Sequence, residues 1–283
     1  MSLPKDWTTR AGLKPGDRLA VIPQQDLSLL IVPRFEEEKR GPLEAVVEVS
    51  RNDNAIHLIR NITSQYLVGY DIIRIRSKEK QIPPKLRREI KDAIRSKLIG
   101  TEIVKESSEE LEIQALVNHT DFSVENAITR MHILASLMHK DAVEALKTLD
   151  YELAKDIISR DDEVDRFYLL TVRMLKMAIQ SPRIMREVGI EKPRDSLGYR
   201  LVAKSIERIA DHTVAIAQNI REIKTPLDSD TLTGIIKMYN SSNRIHSNAI
   251  RALFKLDSVL ANEAIDNSYE LSNIEKGINK DLL

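Results

Sequence analysis

The chain has no cysteine. A disulfide framework, a thiolate metal site and a cysteine nucleophile are therefore excluded. It also has no net charge: 43 lysines and arginines stand against 43 aspartates and glutamates. No overall field draws it to nucleic acid or to an anionic membrane, so any such contact must be local. Aromatic residues make up only 4%, whereas charged residues make up 30%. With long helical periodicities, that balance favours helix bundles over β-sandwiches. No apolar run approaches the length of a membrane span, and no basic start followed by an apolar stretch marks a secretory signal. These absences lead to the expectation of a cytoplasmic protein. A length of 283 residues suggests two or three domains.

Residues 1–35 read as a small β-hairpin head. Pro4 suits a first helical turn, and Gly12 suits the left-handed cap of a short helix ending near Ala11. Lys14-Pro-Gly-Asp17 has turn chemistry. Strands Arg18–Ile22 and Leu27–Val32 follow, joined by Pro23-Gln-Gln-Asp26. The head carries Lys5, Arg10, Lys14, Arg18 and Arg34 against Asp6, Asp17 and Asp26. That is a modest electrostatic footprint, and two readings stand. Either Lys5, Arg10, Lys14 and Arg18 contact DNA, or the hairpin only dimerises. Ser2-Leu-Pro-Lys-Asp-Trp7, Ala11-Gly-Leu-Lys-Pro-Gly-Asp-Arg18 and the hairpin together resemble the AbrB/SpoVT swapped-hairpin domain. The resemblance implies a homodimer that lays basic residues on DNA. That family carries a further strand before the Ser-Leu-Pro segment, so the chain is expected to begin inside the domain.

Glu36 to Pro42 reads as a charged linker. Residues 43–117 alternate as an α+β connector module. Strands are expected at Leu43–Val49, Asp71–Arg76, Thr101–Lys105 and Glu109–Val117. One helix, capped by Asp53, runs to about Leu67; another opens at Pro83-Pro84 and runs to about Leu98. The module has no glycine-rich phosphate loop, no metal-spaced histidine cluster and no nucleophile motif, which leaves a connecting or dimerising role.

From Asp121 the chain is helical. Val124, Ile128, Met131, Ala135, Met138, Ala142, Ala145 and Leu149 step by four and three, the spacing of a packed helical seam. A helix follows Asp150, and another is expected through Asp161–Gln180. Ser181–Arg194 reads as a loop. A long helix to about Ile223 carries an apolar seam of Val202, Ile206, Ile209, Thr213, Ile216, Ile220 and Ile223, and one more helix spans about Thr231–Leu256. His132 and His139 are too far apart on their helix to share one metal and read as exposed.

Four acids form a constellation. Asp161 and Asp165 are one turn apart on one helix, and Glu207 and Asp211 are one turn apart on the next. Asp165 and Asp211 lie equally far from the connecting loop, which places them level in an antiparallel pair. Carboxylates without thiolates suit hard cations such as Mg²⁺, Mn²⁺, Ca²⁺ or iron as Fe³⁺. The alternative is a solvated salt-bridge ladder, with Lys204 reaching Glu207 and Arg208 reaching Asp211. Di-metal carboxylate enzymes place Glu-x-x-His pairs on core-facing helices. None is found, and Glu207 and Asp211 are expected to face outward, so a regulator is expected rather than an enzyme.

Finally, the helices repeat. Ala145-Leu-x-x-Leu-Asp150-x-x-Leu153-Ala154 recurs as Ala252-Leu-x-x-Leu-Asp257-x-x-Leu260-Ala261, an offset of 107 residues without a gap. Ile128 and Met131 fall on Ile235 and Met238. Ser268 and Ser272 replace Asp161 and Asp165 in the second copy. This repeat, with Ser205-Ile-Glu-Arg-Ile-Ala-Asp-His-Thr-Val-Ala-Ile-Ala-Gln-Asn219 and Ser159-Arg-Asp-Asp-Glu-Val-Asp165, is similar to the PhoU family of phosphate-uptake regulators. The resemblance implies paired antiparallel three-helix bundles at 121–224 and 228–283, the second expected to be incomplete. It also implies metal ions held by acids on the bundle surface, and phosphate-transporter or sensor proteins as partners. The expected fold class is therefore multidomain and mainly α.

Overall fold

The computed structural model describes residues 2–23, 27–33, 41–116 and 122–281, with 272–281 as backbone alone. Asp26, Arg34, the Pro23–Asp26 turn beyond Pro23, most of the charged linker, Val117 and Asp121 lie outside the described residues, as does the side chain of Ser272. Two units are present, Met1–Leu43 and Glu44–Leu283. No described helix is long and apolar enough to cross a membrane.

The first unit holds α1 (Lys5–Arg10), β1 (Leu19–Pro23) and β2 (Leu29–Pro33). The strands pair antiparallel, with Val21 opposite Ile31 and Ile22 opposite Leu30. Asp17 accepts a hydrogen bond at 2.7 Å from the Lys14 N–H and closes the expected turn. Val21, Ile22, Leu29 and Leu30 remain exposed.

The second unit opens with β3 (Glu44–Val49), α2 (Ala55–Val68), β4 (Ile72–Ser77), α3 (Pro84–Lys97), β5 (Thr101–Glu106) and β6 (Glu110–Ala115). The sheet order is β3-β4-β6-β5; β3 and β4 are parallel and the other pairs antiparallel. Alternation buries Val47, Val49, Ile73, Ile75, Leu111 and Ile113 against Leu58, Ile62, Leu86 and Ile90 of the two helices. The opposite face holds Arg74 between Glu44 and Glu112, and Arg76 against Glu110. Asn54, not Asp53, caps α2 by accepting from the Ile56 N–H at 2.8 Å. Asp53 instead turns back to the Ser50 N–H.

The helical part comprises α4 (Val124–Thr148), α5 (Tyr151–Gln180), α6 (Pro182–Glu187), α7 (Asp195–Ile220), α8 (Ser229–Lys255) and α9 (Ser258–Asp281). Helix α5 is continuous over 30 residues; no break separates Asp150 from Asp161, because nothing between them interrupts the backbone ladder. Helices α4, α5 and α7 pack against one another around one core that includes Ile128, Met131, Met138, Ile157, Val164 and Ile206. The expected α7 seam packs on the core except at Ile216: Ile206, Thr213 and Ile220 are buried, and Val202, Ile209 and Ile223 pack against it. Ala203, Ile206, Ala210, Thr213, Ala217 and Ile220 are buried, whereas Ile216 is 38% exposed. Small alanines at Ala203, Ala210 and Ala217 widen the buried stripe and allow close helix approach. Glu207 lies beside that stripe, between Ala203 and Ala210, and is buried as well.

The repeat is visible in backbone detail. Leu149 and Leu256 both end their helices in the left-handed region, at φ 51° and 53°. Asp150 accepts from the Leu153 N–H at 2.9 Å, and Asp257 accepts from the Leu260 N–H at 3.0 Å. Helices α8 and α9 pack as a pair, and α8 also lies on α4. An apolar groove of about 760 Å³ runs between α7, α8 and α9. Ile245, Ala249 and Ala261 line it, at positions whose first-repeat counterparts Met138, Ala142 and Ala154 are fully buried.

At the α4–α8 contact His132 meets His246 edge-on, with ring centroids 4.5 Å apart, and His139 meets Tyr239 at 4.8 Å. The two α4 histidines are therefore packed between helices, not exposed. Burial, then His132 and His139, push the His246 imidazole down to about 4. A histidine kept neutral in the fold is protonated first in the unfolded chain, so stability falls with pH from its ordinary 6.5 to the folded value. Denaturant melts should show the native chain losing stability relative to His246→Phe between about pH 6.5 and pH 4, by about 3 kcal/mol at the lower end.

The α+β module is fastened to α5 by Arg173, which is 2% exposed. Its Nη1 donates to the Tyr66 carbonyl at 2.5 Å and the Tyr70 carbonyl at 2.9 Å, and its guanidinium lies over the Tyr66 ring at 4.8 Å. Asp71 is 3.5 Å from Nη2. Gly69, at φ 111°, ends α2 beside this joint, and a Cβ there would meet Met177 Cγ at 3.0 Å. Arg173→Ala leaves the Tyr70 carbonyl without its donor, while the Tyr66 carbonyl keeps the Gly69 N–H, and opens a void; it should cost about 3 kcal/mol in equilibrium unfolding.

Candidate metal centre

Helices α5 and α7 each place a pair of acids one turn apart, and the two helices pack side by side. The fold brings all four expected residues into one electrostatic neighbourhood. Burial first, then Asp165, Asp211, Asp162 and Glu207, push the Asp161 carboxyl up to about 6. Burial first, then Glu207, Asp211 and Asp162, raise Asp165, with Lys97 opposing. Asp161 Oδ1 is buried and has no hydrogen-bond partner. Glu207 is 8% exposed and does not face outward as expected. Asp211 and His212 are exposed.

One rung of the expected ladder is present: Lys204 pairs with Glu207. Burial, not solvent, surrounds that carboxylate. Among the described residues Arg208 forms no ion pair, so the second rung, Arg208 to Asp211, is missing. Nor do three His, Asp or Glu side chains converge closely enough to hold an ion as they stand, among the described residues. The donor set is nonetheless oxygen-only, crowded and partly desolvated. The chemistry of such a set suits a hard cation, which would supply the positive charge that the cluster lacks.

Two charged residues escaped the sequence. Lys97, exposed at the end of α3, lies near enough for its charge to lower Asp165 slightly, without an ion pair among the described residues. No local pattern links it to Asp165, because the proximity depends on how α3 packs on α5. Arg173 could have been found: it stands alone inside the apolar run Leu169-Leu-Thr-Val-Arg-Met-Leu175, where a charge needs a buried partner.

In the first unit Lys5, Arg10, Lys14 and Arg18 are all exposed. Lys5 opens α1 and Arg10 closes it; Lys14 and Arg18 flank the closed turn.

Residues 128–220 match the PhoU domain. The matched span begins in α4, includes α5 and α6, and ends with α7, so all four acids fall inside the PhoU domain. No curated protein and no solved structure matches the chain.

Crowding of the acids has a measurable consequence. A carboxyl raised by its surroundings stabilises the fold while protonated and loses that contribution as pH rises through its folded pKa. In chelator-treated protein, Asp161→Asn should therefore raise the melting temperature at pH 7.5 by about 2–4 °C, and by less at pH 5. Thermal melts at the two values check this.

Proposed function

We propose that the chain is a PhoU family regulator of phosphate homeostasis and not an enzyme. The observation that carries the reading is the PhoU domain match at residues 128–220, which contains the grouped acids. Asp161, Asp165, Glu207 and Asp211 hold a metal ion of the hard class, magnesium, manganese or iron, with Lys204 giving up Glu207 when the ion enters. The α8–α9 pair belongs to a second bundle of the same kind, a view supported by the matched caps at Asp150 and Asp257.

The head acts as a homodimer on DNA. Exposed apolar side chains on both of its strands support self-association, and the four exposed cations Lys5, Arg10, Lys14 and Arg18 support contact with phosphates. A second reading has the head only dimerise, while the bundles dock on a phosphate transporter or sensor. It is favoured by the modest charge of the head.

Two measurements test these readings. Elemental analysis of the purified protein should find metal that is lost when Asp161, Asp165 and Asp211 become Asn and Glu207 becomes Gln. Equal metal in both proteins, or none in either, overturns the metal assignment. Gel-shift titration of the full chain should show DNA binding that weakens steeply with salt. Absence of any shift overturns DNA binding and leaves the docking reading.

A further inference from the structure

A cavity of about 490 Å³ lies between the end of α3, the start of β5 and the flank of α5. That is within the range of small-molecule sites, roughly 300–1,000 Å³. Ile94, Leu98, Ile103 and Leu116 form an apolar wall. Arg166 enters from α5, Arg95 stands on the α3 side, and Glu102 is the one carboxylate among the lining residues. The cavity thus carries two guanidinium groups against one acid.

Arg166 is the unusual member. It is half-buried, and its Nε is shielded from solvent without a hydrogen-bond partner. Among the described residues no carboxylate forms an ion pair with it. A shielded Nε without a partner recurs at Arg87, Arg160 and Arg173, but those three form ion pairs, and half-buried Arg200 lies over the Tyr168 ring. Arg74 has Glu44 and Glu112, Arg160 has Asp141 and Asp156, and Arg173 has two carbonyls and Asp71. Taking a guanidinium out of water without a counter-charge is costly. Here it borders a space that an anion can enter.

The geometry points to a binding site for a small organic anion. The Arg166 guanidinium takes its carboxylate or phosphomonoester, and the wall of Ile94, Leu98, Ile103 and Leu116 takes its apolar body. Guanidinium pairs bidentately with either anionic group, whereas the wall excludes ions that have no body. Arg166 follows Asp165 on α5, so occupancy of the cavity bears on the helix that carries two of the four acids. The site does not depend on metal or DNA binding and can fail or hold independently of them.

Calorimetric titration of the full chain with octanoate, adenosine monophosphate, acetate and inorganic phosphate tests the assignment. Octanoate or the nucleotide should bind saturably at one site per chain, and the one that binds tells carboxylate from phosphomonoester. Acetate and phosphate should bind at least about tenfold more weakly than their larger counterparts. Arg166→Gln should weaken the bound probe by about tenfold or more. Ile103→Trp, which fills the cavity and keeps Arg166, should abolish binding and serves as the test if the first variant does not fold. No saturable binding of either large probe, binding unchanged in both variants, or equal binding of the small ions overturns the assignment.

Discussion

Arg173 is the constraint on which the larger unit depends. A fully buried cation must be answered, and it is answered by the backbone of another element rather than by a neighbour on its own helix. The Tyr66 carbonyl belongs to the last turn of α2, and the Tyr70 carbonyl lies just past the helix end, where the partial negative charge of the helix gathers. One side chain therefore satisfies the Tyr70 carbonyl, adds a second donor to the Tyr66 carbonyl beside the Gly69 N–H, offsets a helix dipole and stacks on the Tyr66 ring. With it, the two helices of the four-stranded sheet and α5 share one packed arrangement.

The acid cluster shows how packing changes chemistry that spacing alone leaves open. On isolated helices these residues would be solvated neighbours with mild repulsion. Packed α5 and α7 take Glu207 out of water and crowd Asp161 among four other carboxylates. Lys204 and Lys97 answer only part of that charge. The cluster is a concentration of like charge partly withdrawn from water, and such perturbed groups concentrate where function lies.

Much of this was legible in the sequence, and the limits have physical reasons. The α4 seam was readable because its repeating apolar residues are the buried ones, Ile128, Met131, Ala135 and Met138 among them. The strands of the α+β module followed from alternation, as at Val47 and Val49. The α7 seam was readable from its isoleucines except at Ile216, but Ala203, Ala210 and Ala217, which are also buried, were missed because small side chains add little to a hydrophobic pattern. Equal distances from a turn placed Asp165 and Asp211 on neighbouring helices, where Asp211 raises the Asp165 carboxyl. They could not reveal that Glu207 turns inward, nor that α8 lays His246 against His132, since both depend on contacts between distant segments.

The ring pairs between α4 and α8 carry a further meaning. Shifted by the 107-residue offset of the repeat, His132 becomes Tyr239 and His139 becomes His246. Position 132 touches the counterpart of 139, and 139 touches the counterpart of 132. Exchange of partners under the repeat is the mark of a two-fold axis, so this contact is isologous within a single chain. A rotation about that axis disturbs both ring pairs equally. The α4–α8 joint is therefore built from two ring contacts, each the counterpart of the other under the repeat.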